Sequence, residues 1–302
     1  MKPVAAGTLR TEVLMGTMIT IQVAGRRADA EVDRAFDWFR RVESTCSRFD
    51  AGSELMQLAR HAGEPVAVSP MLFEALQFAV AVAAETGGAF DPTVGHEMAR
   101  RGFDREYSTG ARLPVTGQER PDDDRPTFRD IEIDAAARTV TLRRPLTLDL
   151  GAVAKGLAID MAARDLAPLR DFAIDAGGDL YLSGHNDAGE PWAVGIRHPR
   201  LHDRMIETIR VSGAAVCTSG DYERRGTDGE PHILDPRGDA GSGALASVTV
   251  IASNAMLADA LATAAFVLGP DDGLRLLERE GVAGVMYSPA LERRVTSTFP
   301  HA

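Results

Sequence analysis

The sequence is short of sulfur, of aromatic rings and of positive charge. Cys46 and Cys217 are its only cysteines among 302 residues. Two thiols are too few for a disulfide scaffold or a thiolate zinc site, so both read as small buried apolar residues. Phe, Trp and Tyr together make up only 6% of the chain. The 33 Lys and Arg are outnumbered by 44 Asp and Glu, giving a net charge of −11. That balance is the wrong sign for a nucleic-acid backbone, which requires a concentrated basic surface, and it excludes DNA and RNA as partners. Long apolar runs are missing too. The longest, such as Phe78 to Ala84, fall far below the roughly 20 residues that cross a bilayer. Met1 to Arg10 shows no long apolar core, no small-residue cleavage site and no early cysteine to carry a lipid, so the expectation is a cytoplasmic protein with no membrane span. Neither a GxGxxG, a P-loop nor a nucleophilic Ser elbow is found, which removes the usual nucleotide and hydrolase fingerprints.

What remains is a chain long enough for one large two-lobed domain or for two domains. Thr11 to Val23 is rich in β-branched residues and predicts a strand ending at Gly25. From Ala28 to Cys46 the apolar positions Val32, Ala35, Phe36, Phe39 and Val42 recur at three and four, predicting a helix. Ser53 and the Ser69–Pro70 pair read as starts of two more helices, the latter running to Gly87 and Gly88. Residues 102–129 are rich in Pro, Gly, Asp and Arg without periodicity and read as a surface excursion. Short strands then follow at Ile131–Asp134, Thr139–Arg144, Phe172–Asp175, Leu180–Ser183, Trp192–His198, Ile206–Ser212 and Ser247–Ala252. One helix, Ala154–Leu166, interrupts them, and Ala255–Leu268 and Asp271–Glu280 close the pattern. Segregation of this kind predicts α+β architecture with largely antiparallel sheets flanked by helices.

The most informative segment is Ser253 to Gly269, an apolar helix that carries Asp259 beyond its first turn. Neither capping nor the helix dipole accounts for an acid there. Thr263, four residues on, lies on the same face. An ionised carboxylate among Ala, Leu and Phe costs several kcal/mol unless a cation or hydrogen bonds compensate. Two oxygen ligands one turn apart suit a hard cation such as Mg²⁺ that also meets substrate phosphates; a structural Asp paired to an Arg or a backbone amide is the alternative. In LDLGAVAKGLAID, Leu148 to Asp160, Lys155 falls near a helix start, where a bound anion would offset the unfavourable dipole. A solvated lysine is the plainer reading, but Asp149 beside the same turn adds a second acid. Three loops combine small with polar residues: Ala89-Phe90-Asp91-Pro92-Thr93, Asp175 to Asp179, and Thr218 to Tyr222. His232, in HILDP, is a candidate general base or a satisfied structural histidine.

Taken together, MGT at Met15–Thr17, CSRF at Cys46–Phe49, AFDPTVG at Ala89–Gly95, DLGAVAKG at Asp149–Gly156, DAGGDL at Asp175–Leu180, TSGDYER at Thr218–Arg224, HILDP at His232–Pro236 and SVTV followed by ADALATA within Ser247–Ala264 resemble the FAD:protein FMN transferases, the ApbE-like family. The resemblance spans nearly the whole chain. It implies one two-lobed, T-fold-like α+β domain over residues 1–302, with FAD in the inter-lobe cleft and Mg²⁺ on the pyrophosphate. By position, the metal ligands would be Asp259, Thr263 and the main-chain carbonyl of Ala152. Flavin-nucleotide contacts would fall to Met15, Phe49, Ala89, Phe90, Asp91, Asp149, Lys155 and Leu234, and the base would be His232, with Lys155 beside it in catalysis. The implied reaction moves FMN from FAD to a Thr or Ser hydroxyl of an acceptor flavoprotein and releases AMP. An FAD pyrophosphatase and a non-catalytic FAD-binding protein are the competing readings. Three features depart from the family: Phe49 where Tyr is usual, Ala262 where some members carry a second metal-side Asp, and no export signal where many members are exported or lipid-anchored.

Overall fold

A computed structural model describes residues 7–104, 125–201, 203–222, 233–238 and 243–300. The chain opens with β1 (Thr8–Leu14) and β2 (Thr17–Val23), then α1 (Asp29–Cys46), α2 (Glu54–Leu58), β3 (Pro65–Ala67), α3 (Pro70–Glu85) and α4 (Gly95–Arg100). It continues through β4 (Ile131–Asp134), β5 (Thr139–Leu142), α5 (Gly151–Leu166), β6 (Phe172–Ala176), β7 (Asp179–Ser183), β8 (Trp192–Arg197) and β9 (Met205–Val211). The last elements are β10 (Ala214–Gly220), β11 (Ser247–Ala252), α6 (Ala255–Arg279), β12 (Ala283–Tyr287) and β13 (Arg293–Val295).

Eight strands form one sheet in the order β1-β2-β6-β7-β10-β11-β12-β13, with smaller sheets β3-β5-β4 and β8-β9. Every pairing among the described residues is antiparallel, as the α+β expectation required. Alternation sorts the large sheet into two faces. Ile19, Ile21, Val23, Ile174, Ala215, Cys217, Val248 and Val250 point toward the helices and join one core with α1, α3, α5 and α6. Leu182, Val216, Val285 and Tyr287 point the other way and are covered by Trp192, Val194, Ile196, Ile209 and Val211 of the β8–β9 hairpin. Both cysteines are buried. Burial, with a smaller push from Glu54, raises the thiol of Cys46 to about 12. No described helix is long and apolar enough to cross a membrane.

Several local expectations are corrected. The single strand over Thr11–Val23 is a hairpin, because Met15 (φ 52°) and Gly16 (φ 70°) both occupy the left-handed region that a tight two-residue turn demands. The break between the two C-terminal helices, by contrast, falls where the sequence puts it: α6 is two helices joined end to end across Gly269 (φ 82°, ψ −175°), whose backbone is not helical, just before Pro270. The segment from Thr218 to Gly220 is the end of β10 rather than a loop; its Ser and Gly carry little strand propensity, and pairing with β11 overrides that. Residues 105–124 of the expected surface excursion lie outside the described residues, while its flanks Asp104 and Phe128 are buried.

Candidate active site

One end of the large sheet gathers the singled-out motifs. The β1–β2 turn at Met15–Gly16 meets the β6–β7 turn, where the Gly177 N–H donates to the Met18 carbonyl at 3.0 Å. A side chain at Gly177 would strike the Thr17 hydroxyl at 2.1 Å, and φ is +66° there, so only glycine fits. The next residue but one is Asp179, the first of β7. Its Oδ1 accepts from the Thr218 N–H of β10 at 3.3 Å. On the helical side, the Asp149 N–H donates to the Pro92 carbonyl and Gly95 N–H to Thr147 carbonyl, at 2.8 and 3.2 Å. These bonds tie the Ala89–Gly95 loop to the chain that enters α5 and carries Lys155.

Helices α5 and α6 are brought into backbone contact at a glycine. A Cβ on Gly156 would lie 2.5 Å from Met256 Cα and 2.6 Å from Met256 N. Asp160, one turn further along α5, accepts from the first amides of α6, Ala255 N–H at 2.6 Å and Met256 N–H at 3.0 Å. Asn254 caps the third exposed amide, Leu257 N–H, at 2.9 Å. Burial pushes Asp160 up to about 6 in spite of the two backbone donors. This junction brings Lys155 and Asp259, far apart in sequence, to one place.

There the ammonium of Lys155 pairs with Asp179 Oδ2 and stands 3.6 Å from Asp259 Oδ2. Asp179 and Asp259 are both buried, at 3% and 6% exposure. Burial raises Asp259 above the ordinary carboxylate range, against the opposing pull of Lys155. Its Oδ2 has no hydrogen-bond partner, an uncommon condition for a buried oxygen. One turn along α6, the hydroxyls of Thr263 and Ser219 share a 3.1 Å hydrogen bond. Ala152 sits at the irregular first turn of α5 (φ −90°, ψ 16°). No group of three or more His, Cys, Asp or Glu side chains forms a metal cluster among the described residues. An under-coordinated carboxylate oxygen beside a hydroxyl is instead a partial, all-oxygen set of the kind Mg²⁺ accepts alongside substrate phosphates.

The other predicted contacts are shaped by neighbours that sequence reasoning missed. Asp149 Oδ2 pairs with the buried Arg48 at 2.7 Å, and its Oδ1 accepts from the Gly151 N–H at 2.7 Å. Arg48 lies over the Phe49 ring at 4.2 Å and donates to the Phe103 carbonyl at 2.6 Å. Its Nη1 is buried without a partner. Asp91 accepts from the amide and hydroxyl of Thr93 and from the Phe128 N–H, at 2.9, 2.8 and 2.9 Å. It therefore holds the loop between buried Ala89 and Phe90 and the 126–128 segment. Burial raises its carboxyl despite those donors. The Met15 N–H donates to Glu43 at 2.8 Å, and Leu234 is buried. His232 lies outside the described residues. Asp179 was open to view in the DAGGD motif: an acid that starts a strand among alternating apolar residues signals a buried charge.

A separate cavity of about 420 Å³ lies on the opposite face of the sheet, under the β8–β9 hairpin, lined by Thr20, Asp175, Trp192, Arg197, Thr218 and Thr249 among others. It shares no predicted flavin or metal residue.

Comparison with known proteins places the chain as a whole. The sequence pattern of the ApbE family matches residues 15–286. A crystal structure of the ApbE protein from Thermotoga maritima superposes with a TM-score of 0.84 at 28% identity, covering 97% of this chain and 98% of that one. The flavin transferase ApbE from Vibrio cholerae gives 0.83 at 26%, covering 97% and 98%. By sequence, the FAD:protein FMN transferase of Treponema pallidum is 32% identical, over 96% of this chain and 86% of that protein. The Rhodobacter capsulatus protein of the same name is 35% identical over 77% of this chain but only 45% of its own length, so this chain spans under half of that relative. The fold and these relatives define an α+β enzyme of the transferase class. The chain belongs to the ApbE family.

Proposed function

We infer that this chain is an FAD:protein FMN transferase, the activity named for its relatives, and that it acts on a Thr or Ser hydroxyl of an acceptor flavoprotein. The observation that supports this most is the buried group of Lys155, Asp179 and Asp259 at the junction of α5 and α6. Two acids and one ammonium leave a formal deficit of one positive charge at the place where a family substrate would carry its pyrophosphate. Asp259, Thr263 and the main-chain carbonyl of Ala152 would hold Mg²⁺ there; when bound, it supplies positive charge to the phosphate oxygens.

The remaining work falls to the chain's own groups. The acceptor hydroxyl attacks the FMN-side phosphorus, the bond to the bridging oxygen breaks, and AMP leaves with that electron pair. Lys155 offsets negative charge on the phosphates and on the leaving oxygen. His232 takes the hydroxyl proton, a role the family resemblance assigns. Phe49, stacked under Arg48, offers a ring face to the flavin, and Met15, Ala89, Phe90 and Leu234 supply apolar walls. Asp91 and Asp149 orient loops through the donors they already hold.

The test is His232→Ala in a transfer assay with FAD, Mg²⁺ and acceptor. Transfer should slow by roughly a hundredfold while FAD affinity stays within about twofold, since a base acts on the attacking hydroxyl and not on ground-state binding. Unchanged transfer would remove His232 from the reaction.

A further inference from the structure

Lys155 has two carboxylates within reach, and the structure divides it unequally between them. Its ammonium is in contact with Asp179 Oδ2 and stands off Asp259 Oδ2 at 3.6 Å. Asp179 is itself fixed by the Thr218 N–H and by its place at the head of β7. Asp259 Oδ2 is left without a hydrogen-bond donor although it is buried. In a site of low dielectric, one ammonium cannot fully satisfy two acids, and the acid it favours decides what the other must attract.

We propose that Asp179 is a positioning residue that draws Lys155 off Asp259 and so keeps the Asp259 carboxylate open to a divalent cation. Lys155 and the cation are then rivals for Asp259, and Asp179 sets the outcome. Remove the Asp179 charge and Lys155 has one buried counter-charge left, Asp259, which it would close upon and block. Remove the Lys155 charge and the pair of acids takes a divalent cation more tightly. A purely structural Lys155–Asp179 pair, tying α5 to β7, carries neither consequence. The proposal rests on the reading of Asp259 and Thr263 as cation ligands.

The experiment titrates Mn²⁺ alone, a hard oxygen-seeking cation visible by electron paramagnetic resonance, into the full chain freed of FAD. Wild type is compared with Asp179→Asn, Lys155→Met, the double variant and Asp259→Asn, each checked by thermal melting. Asp179→Asn should weaken Mn²⁺ binding by at least about tenfold and Lys155→Met should tighten it by at least about tenfold, the opposite signs of one charge removed from a close, shielded pair. The double variant should stay tighter than wild type and within about threefold of Lys155→Met, because without Lys155 there is nothing for Asp179 to hold off Asp259 and the two effects do not add. Loss of Mn²⁺ binding in Asp259→Asn, with both single variants within about twofold of wild type, would overturn the positioning role and leave the cation site standing. Wild-type binding in Asp259→Asn would overturn the cation site and the proposal with it. Should Asp179→Asn melt too early to titrate, Lys155→Met decides alone: tighter binding supports the proposal, and unchanged binding overturns it.

Discussion

Strands β7 and β10 carry different chemistry on their two faces. Toward the helices they present Asp179 and Ser219, beside Lys155, Asp259 and Thr263. Toward the β8–β9 hairpin they present Leu180 and Thr218, and the Thr218 hydroxyl is satisfied by Thr249 at 2.9 Å. On the hairpin side these two hydroxyls settle one another as a neutral pair. The helix side buries unequal charge and leaves an oxygen unsatisfied, which folding alone does not favour and which binding would relieve. A difference of one residue along a strand thus separates the face covered by the hairpin from the face we propose as the reactive one.

The strongest way to break this contrast is to compare Asp259→Asn with Thr249→Val. The first should cut FAD-dependent AMP release by roughly a thousandfold, since it removes a charge that works on the developing phosphate charge, and leave the melting temperature within about 2 °C of wild type. The second should leave activity within about twofold and lower stability by about 1 kcal/mol, because the half-buried Thr218 hydroxyl loses its partner. Matched losses of activity and folded protein in both variants would erase the distinction.

Glycine substitutions sharpen it. Gly156→Ala meets the backbone of Met256, which cannot move aside, and should cost about 3 kcal/mol while separating α5 from α6. Gly195→Ala in β8 meets only the side chain of Met205, at 2.8 Å, and that side chain is exposed and free to turn. It should cost less than about 0.5 kcal/mol. Urea unfolding of the two variants measures both, and equal destabilisation would contradict the backbone contact at Gly156.

The smallest expected effect is on pH dependence, where the two faces should differ in sign. Burial raises Asp160 to about 6, so its contribution to stability is full below about pH 4 and is lost as pH rises through 6. Glu207, on the hairpin side, is lowered chiefly by its hydrogen bond from Arg293, with Tyr287 adding a second. Its contribution is present above the ordinary glutamate range and is lost as pH falls. Between pH 4 and 7, Asp160→Asn should therefore gain on wild type, by about 2 kcal/mol, while Glu207→Gln should fall behind by less. Stability gaps that move in the same direction for both variants would refute the assignment.

Much of this was legible in the sequence, for reasons that individual residues make plain. Asp259 stood out because an acid in an apolar helix has no local excuse, and periodicity put Thr263 on its face. The spacing at three and four in Val32 to Val42 placed α1 correctly, and Ser53 and Ser69 marked helix starts where the structure has them. The place of Asp179 at a strand start signals a buried charge, but its partner Lys155, like the Asp149 that pairs with Arg48, lies more than twenty residues away and shows only in the tertiary structure. The turn at Met15–Gly16 was missed because Met gives no sign of a positive φ, and β10 because its residues are small. Gly156 looked like part of a motif, but only the approach of Met256 explains it.

The most direct test of the account is the mass of an acceptor flavoprotein incubated with this chain, FAD and Mg²⁺, read beside the nucleotide released. One FMN phosphoester on a Thr or Ser of the acceptor is expected, with AMP in equal amount and loss of both in excess EDTA or in Asp259→Asn. Free FMN and AMP with an unmodified acceptor, or modification that persists in EDTA, would contradict it.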